Sequence, residues 1–135
     1  MRLGGGIAVI LAALLSGGSV AAQDSPSQNQ PLDQAAARWI CSESRRSVCT
    51  ASGCNELAPS VQITLLFDSD TYLRCQADEC ERHAIDWRAS SGLFTTLFAD
   101  SSILLKVVND GSAYSEIVLL GLTSTVGHGT CAPAS

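Results

Sequence analysis

The sequence predicts a mainly β fold: one small antiparallel meander of about seven or eight strands, curled or closed into a barrel and stapled by disulfides. Short apolar runs alternate with turn residues, and no segment keeps helical apolar spacing for the length of a helix. Six cysteines occur in only 135 residues. A chain of this length holds a single domain, and its net charge of −5 opposes binding to nucleic-acid phosphates.

The amino-terminal part of the chain is expected to lie outside the folded domain. Residues 1–22 have the pattern of a signal peptide, because one positive charge precedes nine apolar residues and Val20-Ala21-Ala22 offers a small-residue cleavage site. Residues 23–35 are polar and contain two prolines, which is typical of a flexible leader. We therefore expect an extracytoplasmic protein, periplasmic or secreted, with no membrane anchor after cleavage and a disulfide-rich β domain over residues 36–135.

The strands are predicted from alternation and from the turns between them. Val61–Phe67 is the clearest strand, because every second residue is apolar. The polar residues 76–79 indicate a hairpin, and Asn109-Asp110-Gly111-Ser112 supplies residues that tolerate the positive φ of a tight turn. Pairing of the first strand with the last would close the sheet and remove its edges. The expected strands cover residues 38–41, 61–67, 71–75, 80–87, 93–99, 103–108, 113–120 and 122–126, the last continuing towards residue 131.

The six cysteines predict three disulfides, since an even cysteine count in a short exported chain is typical of a disulfide framework. Two C-x4-C pairs are spaced so that a local turn brings their β-carbons within reach of each other. A second pairing stays open, in which Cys41 joins Cys49 or Cys54 and the remaining cysteine joins Cys131. We expect no metal and no cofactor, because structural zinc sites commonly use closer C-x2-C pairs. The preferred pairs are Cys41–Cys131, Cys49–Cys54 and Cys75–Cys80.

No sequence signature of an enzyme stands out. The chain has neither a G-x-S-x-G elbow nor an H-E-x-x-H motif, and His128 between two glycines is the one candidate base. We therefore expect a non-catalytic binding or interaction domain for a protein or small-molecule ligand. Guanidinium groups are strong anchors in interfaces, because they pair with carboxylates and stack on aromatic rings. The candidate binding arginines are Arg45, Arg46, Arg74, Arg82 and Arg88.

Several motifs are shared with a known group of proteins. They are Trp39-Ile40-Cys41, the C-x7-C-x4-C run that ends at Cys54, Cys75-x4-Cys80 and Gly127-His128-Gly129-Thr130-Cys131. Together these motifs resemble small exported six-cysteine β proteins of Gram-negative bacteria. The resemblance covers nearly all of residues 39–131. It implies the same fold class and location, and it carries over no catalytic residue.

The segment Ala89–Phe94 gives a second resemblance. Its Ser91-Gly92-Leu93-Phe94 is similar to the Ser-Gly loop and aromatic signature of the small β-barrel lysozyme inhibitors, with Phe94 where those proteins have a tyrosine. Cysteine number and spacing differ from that family. The resemblance adds Phe94 to the candidate binding residues and implies an inhibitor of a basic envelope-attacking hydrolase such as lysozyme. A further alternative is a small-ligand carrier that uses the barrel interior.

Overall fold

The computed structural model describes residues 26–135, so the predicted signal peptide at 1–22 lies outside the described residues. Within the described part, a four-residue helix precedes nine strands, and a 3₁₀ turn at Phe67–Ser69 links the third and fourth strands. The elements are α1 (Leu32–Ala35), β1 (Arg38–Thr50), β2 (Gly53–Leu57), β3 (Val61–Leu66), β4 (Thr71–Gln76), β5 (Glu79–Ser91), β6 (Phe94–Ala99), β7 (Ile103–Val108), β8 (Tyr114–Leu120) and β9 (Thr123–Pro133).

Eight of these strands form a closed antiparallel barrel. The order is β1-β3-β4-β5-β6-β7-β8-β9, and β9 pairs back onto β1 along most of its length. The ninth strand, β2, forms a hairpin with the second half of β1. The predicted mainly β meander and its closure through the first and last strands are therefore confirmed. Within residues 26–135, no helix has the length and apolar character needed to cross a membrane.

Three strands differ from the sequence prediction in extent. β1 continues to Thr50 instead of ending near Cys41, β5 continues to Ser91, and β2 was not expected as a strand at all. All five residues of β2 and the last six of β5 are exposed. Because neither face of these segments is buried, the alternation that marks a half-buried strand is missing.

Each disulfide joins two residues that lie directly opposite each other on neighbouring strands. The pair Cys75–Cys80 closes the β4–β5 hairpin, and Cys49–Cys54 closes the β1–β2 hairpin. The third bond, Cys41–Cys131, links β1 to β9 at the seam of the barrel. The preferred pairing is therefore confirmed, and within the described chain no cysteine is free.

Buried side chains fill the interior of the barrel at the end where β1 begins. We call this the closed end. Alternating side chains of each strand point inwards, as the two-residue period of a strand requires. Tyr114 and Glu116 of β8, for example, are both buried. The fully buried apolar side chains include Leu32, Trp39, Ile63, Leu65, Leu97, Ile103, Leu105 and Val107.

The expectation of a flexible leader over residues 23–35 is wrong for its second half. Leu32 is fully buried, its amide donates to Thr95 Oγ1 at 3.3 Å, and its carbonyl accepts the Trp39 indole N–H at 3.0 Å. Upstream, the Gln28 carbonyl accepts from Asn109 Nδ2 at 3.1 Å. This segment plugs the closed end, because Leu32 is its one large apolar side chain and removing it from water stabilises the docked state. Residues 23–25 lie outside the described chain.

Removal of the seam disulfide in Cys41→Ala/Cys131→Ala is expected to cost more stability than removal of a hairpin disulfide. The loop-entropy relation gives about 4 to 5 kcal/mol for a sequence separation of 90 and about 2 kcal/mol for a separation of 5. Urea unfolding of the seam variant beside Cys75→Ala/Cys80→Ala measures the difference. Equal losses in the two variants would contradict this account of the seam.

Candidate functional site

A charged hydrogen-bond cluster lies inside the barrel. Glu116 of β8 is 2% exposed and accepts hydrogen bonds from the Tyr72 hydroxyl and from Arg74 Nε, the latter at 3.2 and 3.3 Å from its two oxygens. Tyr72 and Arg74 project from one face of β4 because they are two residues apart. A buried carboxylate is tolerated only when it is paired and hydrogen-bonded, and Glu116 is both.

A second carboxylate lies beside this cluster. Glu43 Oε2 accepts the backbone N–H groups of Ser60 at 2.9 Å and Val61 at 3.1 Å, which fixes the start of β3. Gly127 makes room for this side chain, because a β-carbon at that position would lie 2.6 Å from Glu43 Oε1. The buried Tyr114 hydroxyl has no hydrogen-bond partner among the described residues. The barrel interior therefore holds two neighbouring carboxylates, together with Arg74 and the two tyrosine hydroxyls.

The surroundings of the two tyrosines favour their neutral forms. Burial, and then the Glu116 carboxylate, raise the pKa of Tyr72 well above its ordinary value of 10.0. Burial, followed by the charges of Glu43 and Glu116, likewise raises the pKa of Tyr114. Both hydroxyls consequently remain protonated in the fold through neutral and moderately alkaline pH.

A cleft opens at the other end of the barrel, where β1 ends and where the β4–β5, β6–β7 and β8–β9 turns meet. We call this the open-end cleft; its volume is about 240 Å³. Arg46, Arg74 and His83 contribute to a polar wall. The apolar wall is formed by Ile103, Val118 and Leu120. The cleft is thus polar on one side and apolar on the other.

The open-end cleft contains two of the five predicted binding arginines. Arg74 is neutralised by Glu116 at its inner end. Arg46 Nη1 donates to Ser60 Oγ at 3.3 Å, and within residues 26–135 this guanidinium forms no ion pair. Its Nε–H is buried without an acceptor. Arg46 therefore contributes an uncompensated positive charge to this wall.

The other three predicted arginines lie elsewhere and do not converge. Arg45 points outwards from β1 and forms an exposed ion pair with Glu56 at 3.3 Å. Arg82 Nη1 donates to Thr71 Oγ1 at 3.2 Å. Arg88 donates to Asp70 at 2.8 Å, and its guanidinium lies 5.5 Å from the centre of the Phe67 ring. These side chains brace local structure, so the five arginines form no common binding surface.

The exposed aromatic side chains all lie on one hairpin. Of seven aromatic residues in the chain, four are buried, whereas Trp87, Phe94 and Phe98 are 52%, 37% and 40% exposed on β5 and β6. Trp87 and Phe98 are cross-strand neighbours with ring centres 6.0 Å apart. Lys106 Nζ lies 4.4 Å from the Phe94 ring centre, which is a cation–π contact. The sequence offered Phe94 as a candidate binding residue but gave no signal for Phe98.

An apolar row continues from this aromatic pair around the outside of the barrel. The strand register places Phe98 opposite Leu104, Leu104 opposite Ile117, and Ile117 opposite Val126. The row crosses five strands on the solvent side, where polar side chains are the rule in an antiparallel sheet. We call it the outer stripe; its members are Trp87, Phe98, Leu104, Ile117 and Val126.

The surroundings of His128 are those of an exposed strand residue. Its side chain lies on the outer face of β9 opposite Ser115, in a shallow groove that also includes Lys106. Within residues 26–135 its imidazole forms no ion pair with a carboxylate. Across residues 26–135, no three His, Cys, Asp or Glu side chains converge in a way that would hold a metal ion.

Comparison of the chain with protein-family models, with curated proteins and with solved structures gives no match.

The two tyrosines, which are the only ones in the chain, are expected to ionise only when the protein unfolds. Both folded pKa values are raised above 10.0. The stabilisation from the neutral hydroxyls is therefore complete below pH 10 and lost as pH rises towards the folded pKa. Ultraviolet absorbance should show tyrosinate near pH 10 in denaturant, but only at higher pH, together with unfolding, in the native protein. Tyrosinate absorbance near pH 10 in the folded protein would contradict the buried cluster.

Proposed function

We propose that this chain is an exported, non-catalytic binding domain that docks onto a basic protein partner through its outer stripe. The single observation that supports this proposal is the exposure of the Trp87–Phe98 aromatic pair, continued by three aliphatic residues in register. Aromatic residues are enriched at the energetic centres of protein interfaces, because each removes a large rigid surface from water at low entropic cost.

The charge around the outer stripe supports a basic partner. Asp86 precedes Trp87 in β5, and Asp100 ends the strand that carries Phe98; both acids are exposed. The chain as a whole has a net charge of −5. Opposite charge steers diffusional association and disfavours partners of the same sign. Acids beside an exposed aromatic pair therefore suit a partner whose apolar patch is ringed by lysine or arginine.

Export is proposed for separate reasons. Three intramolecular disulfides are typical of proteins that mature in an oxidising compartment. The signal-peptide pattern of residues 1–22 points to the same location. A carrier that uses the barrel interior has less support, because Trp39, Leu65 and Leu105 are fully buried inside the barrel.

Site-directed photo-crosslinking in the envelope fraction of the producing cells tests the docking surface. A benzophenone side chain placed at Phe98 is expected to form an adduct with a basic protein, in a yield that falls as salt is added. The matched control is the same side chain at Leu122, which is 98% exposed in the β8–β9 turn. A yield at position 98 no greater than at position 122, or an adduct with a second copy of this chain, overturns the proposal.

The purified partner then allows a quantitative prediction. Trp87→Ala/Phe98→Ala is expected to weaken binding at least about thirtyfold, the loss for an anchor worth about 2 kcal/mol. Leu122→Ala should bind like the wild type, since it removes exposed apolar surface away from the stripe. Both variants should keep the wild-type unfolding midpoint within a few degrees, because the replaced side chains are on the solvent side. Binding that survives loss of both aromatic rings would contradict the assignment.

A lysozyme-type hydrolase is the specific basic partner favoured by one local feature. The β5–β6 turn at Gly92 and Leu93 presents Phe94 at the barrel surface, with Lys106 over its ring. This is the segment whose sequence resembles the signature of the small β-barrel lysozyme inhibitors. Purified protein in molar excess is expected to suppress lysozyme turnover, and Phe94→Ala to relieve that suppression. Full lysozyme turnover at a large molar excess of the protein would exclude a lysozyme-type hydrolase as the partner. The outer stripe would then bind a different basic protein.

A further inference from the structure

We infer that the open-end cleft is a binding site for a small carboxylic acid with an apolar body. This inference concerns a different surface from the outer stripe and is carried by different residues. The cleft lies at the end of the barrel opposite the Leu32 plug. Its volume of about 240 Å³ is below the range usual for drug-sized ligands, so its occupant is small.

The chemistry of the ligand follows first from the charges that face the cleft. Arg74 is already paired with Glu116, and Glu81 lies with a carboxylate oxygen 3.5 Å from His83 Nε2. Among the described residues, Arg46 has no carboxylate partner, and its buried Nε–H lacks an acceptor. An unsatisfied buried donor is costly, and a guanidinium is best satisfied by a carboxylate, whose two oxygens match its fork of N–H groups.

His83 adds a second polar group to the same wall. Its Nδ1 lies 2.5 Å from Asp100 Oδ2, a contact in which the imidazole donates and which fixes the ring. Its Nε2 is buried and makes no hydrogen bond within the described chain. With Nδ1 as the donor, Nε2 of the neutral ring is an acceptor, so it suits a hydroxyl group on a ligand and not the carboxylate itself. Two of the three buried polar atoms without partners in residues 26–135 thus belong to side chains that line this one cleft.

The apolar wall of the cleft determines what kind of group the ligand carries beside its carboxylate. Ile103 and Val118 are buried, whereas Leu120 is 61% exposed at the rim. These side chains offer apolar contact to whatever is attached to the carboxylate, and burial of that contact contributes about 25 cal/mol per Å². A bare inorganic anion would leave this wall in water. An amphipathic acid satisfies both walls at once.

The probe for this site is octanoate, observed by titration into ¹⁵N-labelled protein. It is expected to shift the backbone resonances of Ser102, Leu120 and Thr125, which line the cleft, with a dissociation constant of about 1 mM or lower. 1-Octanol provides the chain without the charge, and acetate provides the charge without the chain; each should bind at least tenfold more weakly. Absence of shifts at the cleft, or equal binding of octanol and octanoate, overturns the inference.

Two neighbouring arginines provide a matched pair of variants. Arg46→Gln should weaken octanoate at least tenfold, the range for loss of a charge-assisted hydrogen bond, whereas Arg45→Gln should leave its affinity unchanged because Arg45 faces outwards. Leu120→Glu places a like charge at the exposed rim and should also abolish binding, which keeps the inference testable if Arg46→Gln does not fold. Wild-type affinity in either cleft variant contradicts it. Trp87→Ala/Phe98→Ala should bind octanoate with wild-type affinity. A result that contradicts the carboxylate site can therefore be distinguished from one that contradicts docking through the outer stripe.

Discussion

The closure of the sheet between β1 and β9 is the constraint on which the rest of the structure depends. An eight-stranded barrel has an interior just wide enough to be filled by side chains. Closure supplies every barrel strand with two neighbours, and it brings β4 and β8 to opposite sides of one small interior. Only in that arrangement do Tyr72 and Arg74 meet Glu116. The cluster, the core and the open-end cleft are all consequences of one seam, which the Cys41–Cys131 bond clamps.

The parts of the fold that could be predicted from sequence are those in which one local signal dominates. Alternation marks Val61–Leu66, and the C-x4-C spacing marks two hairpin disulfides, because each depends on residues close together in the chain. β2 escaped prediction because its five residues are exposed on both faces. The docking of Leu32 could not be predicted because a single apolar residue in a polar segment gives no periodicity. One such side chain is nevertheless enough to plug a barrel of this width.

The candidate sites were less predictable, since they depend on which faces the register brings together. Five arginines were available as anchors, and nothing in their spacing distinguishes Arg46, which lacks a carboxylate partner among the described residues, from Arg45, which has one. The sequence likewise shows Phe98 as one more apolar residue of a strand. Its exposure follows from Leu97 and Ala99 taking the inward positions. The same alternation that builds the core therefore decides which aromatic rings reach the surface.

The plug formed by Leu32 also gives the barrel a direction. The described chain enters at the closed end through residues 26–36, and it leaves there too, because Pro133 at the end of β9 pairs with Trp39 at the start of β1. A linker, label or solid support attached at either side of the domain therefore approaches from the same pole. The opposite pole, with its three turns and its cleft, faces away from any tether and stays accessible to molecules arriving from solution.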